Sequence, residues 1–369
     1  MGSGDLEKHN KLWGKSMATS DGLDGNQQQK PVTIRDVAKL AGVSMATVSR
    51  VVNGSTQVDP QLAERVRTAI ANLKYQPNRA ARALASNRSA LLGLLVTDIQ
   101  NQFFMDLMRG VEDVAQQNGY LLVVCNTADN RQKEQQYLEV LAAESIAGVV
   151  IVPTQELPPA LELLQARNIP IIAVDRRIRD RSIDAVLIDN VAAAKEAVTH
   201  LIVNGYRRIG IITGPKSTTT GNERLQGYRQ ALQEAGLVPD PALELRGLFD
   251  EASGQHLTHK LLDLDPPIDA LFTANNRLTV GALRTLHARH KRVPDDIALA
   301  GFDNIYWAIP GLVSITTIAQ PAYELGTTSA TRLLQRLRQS DTLARQEIIL
   351  QHQFIIGDSS KPASNPSFT

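Results

Sequence analysis

The stretch Leu91–Cys125, LLGLLVTDIQNQFFMDLMRGVEDVAQQNGYLLVVC, sets the fold class. It opens and closes on short apolar runs, Leu91–Val96 and Tyr120–Cys125, bounded by turn residues as strands are. Between them, Phe104–Gln117 repeats its apolar residues at helical spacing. Strand, amphipathic helix and strand in succession make a βαβ unit, whose strands lie parallel because the connection between them is long.

The same alternation continues outward from this unit. Further β-forming runs are Gly148–Val152, Ile169–Val174, Ile209–Thr213, Ala270–Thr273 and Ile297–Ala300. Helical stretches at Glu134–Ala143, Pro158–Arg167, Val191–Val203, Glu223–Glu234 and Leu278–His290 separate most of them. This order predicts doubly wound parallel sheets. At least seven strands exceed one compact core, so two α/β lobes are expected, with a ligand in the crevice at the strand C-termini.

Upstream the pattern is different. Residues 1–30 are polar and lack aliphatic periodicity, as a disordered extension or tag would. Residues 31–76 predict three short helices: Ile34–Ala41, Met45–Asn53 after the capping Ser44, and one opened by Asp59-Pro60. In Ile34–Val52, IRDVAKLAGVSMATVSRVV, Ala38 is small enough for a helix crossing, Gly42 tolerates a left-handed turn, and Val48 is apolar inside the second helix. That is a helix-turn-helix, whose second helix enters the major groove. Met45, Ala46 and Arg50 are placed to reach base edges, and Ser44, Thr47, Ser49 and Asn53 to hold phosphates.

Composition agrees with a DNA-binding end on a globular body. The 369 residues are 43% hydrophobic and 21% charged, with a net charge of +1. Residues 31–90 hold nine basic and three acidic side chains, a local +6 that leaves the remainder acidic. The single cysteine, Cys125, excludes an internal disulfide framework and reads as a buried thiol. No apolar run suits a transmembrane span or a secretory signal, so the expected location is cytoplasmic, on the nucleoid, with no membrane partner. His256/His259 and His287/His290 lack a third ligand, and GPKSTTTG at 214–221 departs from the phosphate-loop order; no catalytic residue, metal or cofactor is expected.

TIRDVAKLAGVSMATVSRVVNG, YQPNRAARALAS, DNVAAAKEAVTHLIVNGYRRIGIITGP, RLQGY, VPDDIALAGFDN and TTIAQP resemble the lactose/galactose repressor family of bacterial transcription regulators over roughly residues 31–358. The resemblance implies a helix-turn-helix headpiece (31–76), a hinge helix and linker (77–90), and a two-lobed core like periplasmic binding proteins (91–358). It assigns the first lobe to about 91–189 and 321–340, the second to about 190–320 and 341–358, and a tail to 359–369. It adds Thr33, Tyr75 and Asn78 to the DNA-facing set, and has hinge residues Ala81 and Leu84 wedge the minor groove of a palindromic operator bound by a homodimer. The tail has no leucine heptad to support a coiled-coil tetramer.

For the cleft, the family pattern selects Asp175, Arg176, Asp189, Arg224, Asn275 and Asp303 as polar groups for a sugar effector, with Phe103, Phe104 and Phe249 as apolar faces. Two departures bear on the ligand. Asn275-Asn276 stands where many sugar-responsive members have Asn-Asp, and Thr218 replaces an arginine of the purine-responsive branch. A purine is thereby disfavoured, while Arg176 leaves room for a sugar phosphate or sugar acid. The recognition helix matches Gram-positive catabolite control members, so one alternative is a regulator with a phosphocarrier protein as co-effector. A sugar-binding transport receptor is the alternative from another class, and it leaves residues 33–86 unexplained.

Overall fold

The computed structural model describes residues 32–52, 58–73, 75, 90–144, 146–180, 182–305, 313–338 and 343–362. The chain divides into two units, residues 1–85 and 86–369.

The first unit contains α1 (Ile34–Ala41), α2 (Met45–Val52) and α3 (Pro60–Leu73). Thr33 and Asp36 form a capping box on α1, the Thr33 amide and hydroxyl both donating to the Asp36 carboxylate at 2.8 and 2.6 Å. Gly42 ends α1 in the left-handed region at φ 64°, turning the chain toward α2. Ser44 Oγ then accepts the Thr47 amide at 3.1 Å, and Asp59 caps α3. Val37, Ala38, Ala41, Val48, Val66 and Ala69 bury where the three helices meet.

In the second unit the chain runs β1 (Leu91–Val96), α4 (Gln102–Gln117), β2 (Leu121–Asn126), α5 (Arg131–Ala143), β3 (Gly148–Ile151), α6 (Leu161–Ala166), β4 (Ile171–Val174) and β5 (Asp184–Ile188). It continues through α7 (Asn190–Val203), β6 (Ile209–Thr213), α8 (Thr219–Glu234), β7 (Glu244–Arg246), α9 (Glu251–Leu262), β8 (Ala270–Thr273) and α10 (Asn276–Ala288). Last come β9 (Ala298–Phe302), β10 (Thr316–Ala319), α11 (Ala322–Arg338), β11 (Glu347–Leu350) and β12 (Gln353–Ile355). Two six-stranded sheets result, ordered β11-β5-β4-β3-β1-β2 and β12-β10-β9-β8-β6-β7. Among the described residues all strand pairings are parallel except β10 with β12. The central strands are apolar on both faces because helices cover both. Helices α4 and α11 cross so closely that a Cβ on Gly110 would collide with the Tyr323 carbonyl, and one on Gly326 with that of Leu107.

The chain passes between lobes at Asp189, at Gln320–Pro321, and between Leu350 and Gln353. The last crossing corrects the expected boundary. Residues 341–358 were expected in the second lobe, but Glu347–Leu350 pairs in register with Ala185–Ile188 of the first sheet. Several elements do not stand out in the sequence, among them β5, α9, α11 and β11. In β5 the leading Asp184 hides a strand; it is buried and paired with Arg332 at 3.0 Å and Arg336 at 2.7 Å.

Candidate functional site

The cleft between the lobes is lined from the C-terminal ends of both sheets, where open parallel sheets receive ligands. Thr97 and Asp98 follow β1, Asp129 follows β2, and Asp175 and Arg176 follow β4. From the other lobe come Asn275 after β8, Asp303 after β9 and Gln320 after β10, with Arg224 on α8. The cavity they enclose is small, about 40 Å³.

Asp175 and Asp303 occupy equivalent positions in the two lobes. Both adopt left-handed backbone, at φ 65° and 67°. Each amide still donates to the neighbouring strand, Asp175 to Val186 and Asp303 to Ile318, at 3.1 and 2.7 Å. Such non-glycine conformations cost roughly 1–3 kcal/mol and persist where surrounding structure enforces them. Here the reversal turns each carboxylate from its strand end into the cleft. Burial pushes Asp175 up to about 6 despite Arg176 and Arg224, and pushes Asp303 up as well.

The two arginines are already held by protein groups. Arg176 Nη1 donates to Asp129 at 2.6 Å and to the Pro153 carbonyl at 3.2 Å. Burial pulls Arg176 down, but Asp129, Asp175 and Glu134 outweigh it and hold the guanidinium above its ordinary value. Arg224 lies 3.6 Å over the Phe302 ring, and its Nε donates to Asn190 Oδ1 at 2.8 Å. Burial leaves Arg224 below its ordinary value. Buried Glu134 accepts the Thr154 amide and hydroxyl at 2.7 and 2.9 Å, fixing the turn that carries the Pro153 carbonyl.

Among the described residues, two buried polar atoms on cleft residues have no hydrogen-bond partner, Arg176 Nε and Gln320 Oε1. One donates and the other accepts, which suits hydroxyls. Across the cleft the Asn101 and Asn276 amides bond reciprocally at 3.0 and 2.7 Å. An aspartate at 276 could accept from Asn101 but not donate back, so the departure noted in the sequence gives the two lobes a neutral, two-way link.

The cleft brings together Phe103, Phe104, Asp175, Arg176, Arg224, Phe249, Asn275 and Asp303. Asp189 lies elsewhere: it is exposed and caps α7, accepting the Ala192 amide at 2.9 Å. Its neighbour Asn190 is the residue that meets Arg224. Sequence reasoning missed Thr97, Asp98, Asn101, Asp129, Thr220 and Gln320, which also line the cavity. The available signal was position, because several of them directly follow an apolar run.

On the helix-turn-helix, Ser44, Met45, Ala46 and Arg50 are exposed, and Thr47 and Ser49 are half-buried. Thr33 is engaged with Asp36, and Tyr75 packs against the three-helix core. Asn53, Asn78, Ala81 and Leu84 lie outside the described residues. Among the described residues no cluster of His, Cys, Asp or Glu could hold a metal ion, and no helix is long and apolar enough to cross a membrane.

The family described as "Bacterial regulatory proteins, lacI family" matches residues 33–78, and "Periplasmic binding proteins and sugar binding domain of LacI family" matches 89–357. The ribose operon repressor of Halalkalibacterium halodurans is 38% identical over 333 residues, covering 90% of this chain and 98% of that protein. A Lac repressor dimer bound to operator and an anti-inducer aligns with TM-score 0.79 and 28% identity over 90% of this chain and 100% of its own. A LacI-family regulator from Enterococcus faecium with bound ribose aligns with TM-score 0.67 and 30% identity over 74% of this chain and 100% of its own.

Proposed function

Because the chain belongs to the lacI family of bacterial regulatory proteins, we propose that it is a repressor that binds a palindromic operator as a homodimer and answers to a neutral monosaccharide in its cleft. The observation that carries the ligand class is the pair of unpartnered buried atoms, Arg176 Nε and Gln320 Oε1, in a cleft whose arginines are already engaged. A sugar hydroxyl both donates and accepts, so it satisfies both atoms, and Phe103, Phe104 and Phe249 offer apolar faces to its C–H side. A sugar phosphate or sugar acid would enter beside the four carboxylates Asp98, Asp129, Asp175 and Asp303, among which Arg176 and Arg224 are the cations lining the cavity and Arg277 reaches Asp98 from outside it at 4.0 Å. Ribose is the first candidate, since one relative is named for the ribose operon and another holds ribose.

Met45, Ala46 and Arg50 read bases in this account, Ser44, Thr47 and Ser49 position the helix on phosphates, and Leu84 wedges the minor groove. The sugar acts by favouring one arrangement of the lobes, since equal affinity for both would change nothing. A transport receptor would have no use for a headpiece matching residues 33–78.

Thermal melting against D-ribose and D-ribose 5-phosphate tests the ligand class. A ligand at about 100 times its Kd stabilises by about 2.7 kcal/mol. The expected result is a rise with the free sugar and none with the phosphate. A rise with the phosphate alone would overturn the neutral-ligand reading, and none with any monosaccharide would turn attention to a phosphocarrier protein.

A further inference from the structure

Outside the cavity, a continuous polar chain runs from the cleft arginine to two of the three interlobe crossings. It starts at Arg224, whose Nε donates to Asn190 Oδ1 at 2.8 Å. Asn190 is the first residue of α7, immediately after the crossing at Asp189. Its Nδ2 donates to Glu223 Oε2 at 3.1 Å. The other Glu223 oxygen pairs with the Arg177 guanidinium. Arg177 belongs to the first lobe, following β4, whereas Glu223 is on α8 of the second. Arg177 continues the chain by donating from Nη2 and Nε to Glu347 Oε1 at 2.9 and 3.2 Å. Glu347 opens β11, which leads into the third crossing. The Arg177 amide also reaches across to Thr219 Oγ1 at 3.0 Å.

We propose that Arg177 and Glu223 are the positioning pair that couples effector binding at Arg224 to the rearrangement of the lobes. The inference rests on the reading of the cleft as an effector site. Neither residue lines the cavity, so neither contacts the ligand. Both are constrained by what they touch: Glu223 is held by Asn190 at one crossing, and Arg177 by Glu347 near another. Motion about these crossings alters the separation of the two lobes at this pair, so the ion pair differs in energy between arrangements. A bond that differs between two states biases their equilibrium, and its removal uncouples the bias from the ligand. Arg224 keeps its place without the pair, because the Ala274 carbonyl and the Phe302 ring still hold it.

The test uses the full-length protein with Glu223→Gln, which preserves shape, and Arg177→Met, alone and together. The readouts are the Kd for D-ribose by calorimetry and operator affinity with and without D-ribose. The expected result is a ribose Kd within about threefold of wild type. The ribose-induced change in operator affinity should fall from at least about fivefold in the wild type to within about twofold of no change in each single variant. The double variant should lose no more than either single one, as members of one coupled unit do. A full operator response in both variants would overturn the proposal. If the wild type gives no ribose heat, the assignment of ribose fails and the pair is judged by operator affinity without ligand. Equal, non-additive shifts there support the pair; unchanged affinity in both variants overturns it.

Discussion

Asp175→Asn should stabilise the protein while weakening effector binding. The Asp175 carboxyl is 7% exposed, and burial raises its pKa from 3.8 to about 6, with Arg176 and Arg224 recovering only part of the desolvation. About two pKa units at 1.36 kcal/mol each give roughly 3 kcal/mol as the cost of keeping this group ionised at neutral pH. Asparagine has the shape of the protonated acid and avoids that cost; relaxation of Arg176, whose Nε lies 3.8 Å away, makes the figure an upper limit. The sign follows from linkage. A carboxylate whose folded pKa is raised is without penalty below pH 4, where it is protonated in both states. The penalty grows between pH 4 and 6 and is complete above 6. Melting curves of both proteins should therefore coincide near pH 4, and the variant should melt several degrees higher at pH 7.5. The same variant should bind D-ribose more weakly, having lost a charged acceptor. A variant less stable at pH 7.5, or a difference independent of pH, would refute the reasoning.

Two further predictions concern the headpiece. Gly42→Ala places a side chain at φ 64° and a Cβ 2.6 Å from Arg65 Nη2, the group that donates to the Ala41 carbonyl. A loss of about 1–2 kcal/mol from the left-handed backbone alone is expected, read as faster amide exchange in residues 34–52 of the full-length protein. Arg50→Ala should cost about 1–3 kcal/mol of operator affinity and relax specificity at one base pair, while leaving the salt dependence of non-specific binding nearly unchanged. Equal losses on operator and random duplexes would reassign Arg50 to the phosphates.

The central strands and most helices were legible because buried parallel strands read as continuous apolar runs, as GVVI and IGIIT do here. Strand β5 was not, since Asp184 at its start becomes a strand residue only through Arg332 and Arg336, which arrive from α11 about 150 residues later. Helix α11 was obscured by TTSAT, small residues selected by its close approach to α4 at Gly110 and Gly326. The cleft followed the same logic. Asp175, Arg224, Asn275 and Asp303 stand in motifs that single them out, whereas Asn101 gains its role from a partner in the other lobe and Gln320 from Asp303 at the end of the neighbouring strand. Asp189 misled because the crossing itself was correctly located but the adjacent Asn190 supplies the functional side chain.

The central claim is that occupancy of the cleft controls the DNA-binding end. The most direct measurement is fluorescence anisotropy of a labelled palindromic duplex, selected from a random pool by this protein, titrated with the full-length chain in the presence and absence of D-ribose. The account predicts a Kd that changes at least about fivefold with saturating sugar, the low end of allosteric coupling. It also predicts that Arg224→Ala leaves the sugar-free Kd intact and abolishes the change. The same Kd with and without a sugar that calorimetry shows to be bound would contradict it.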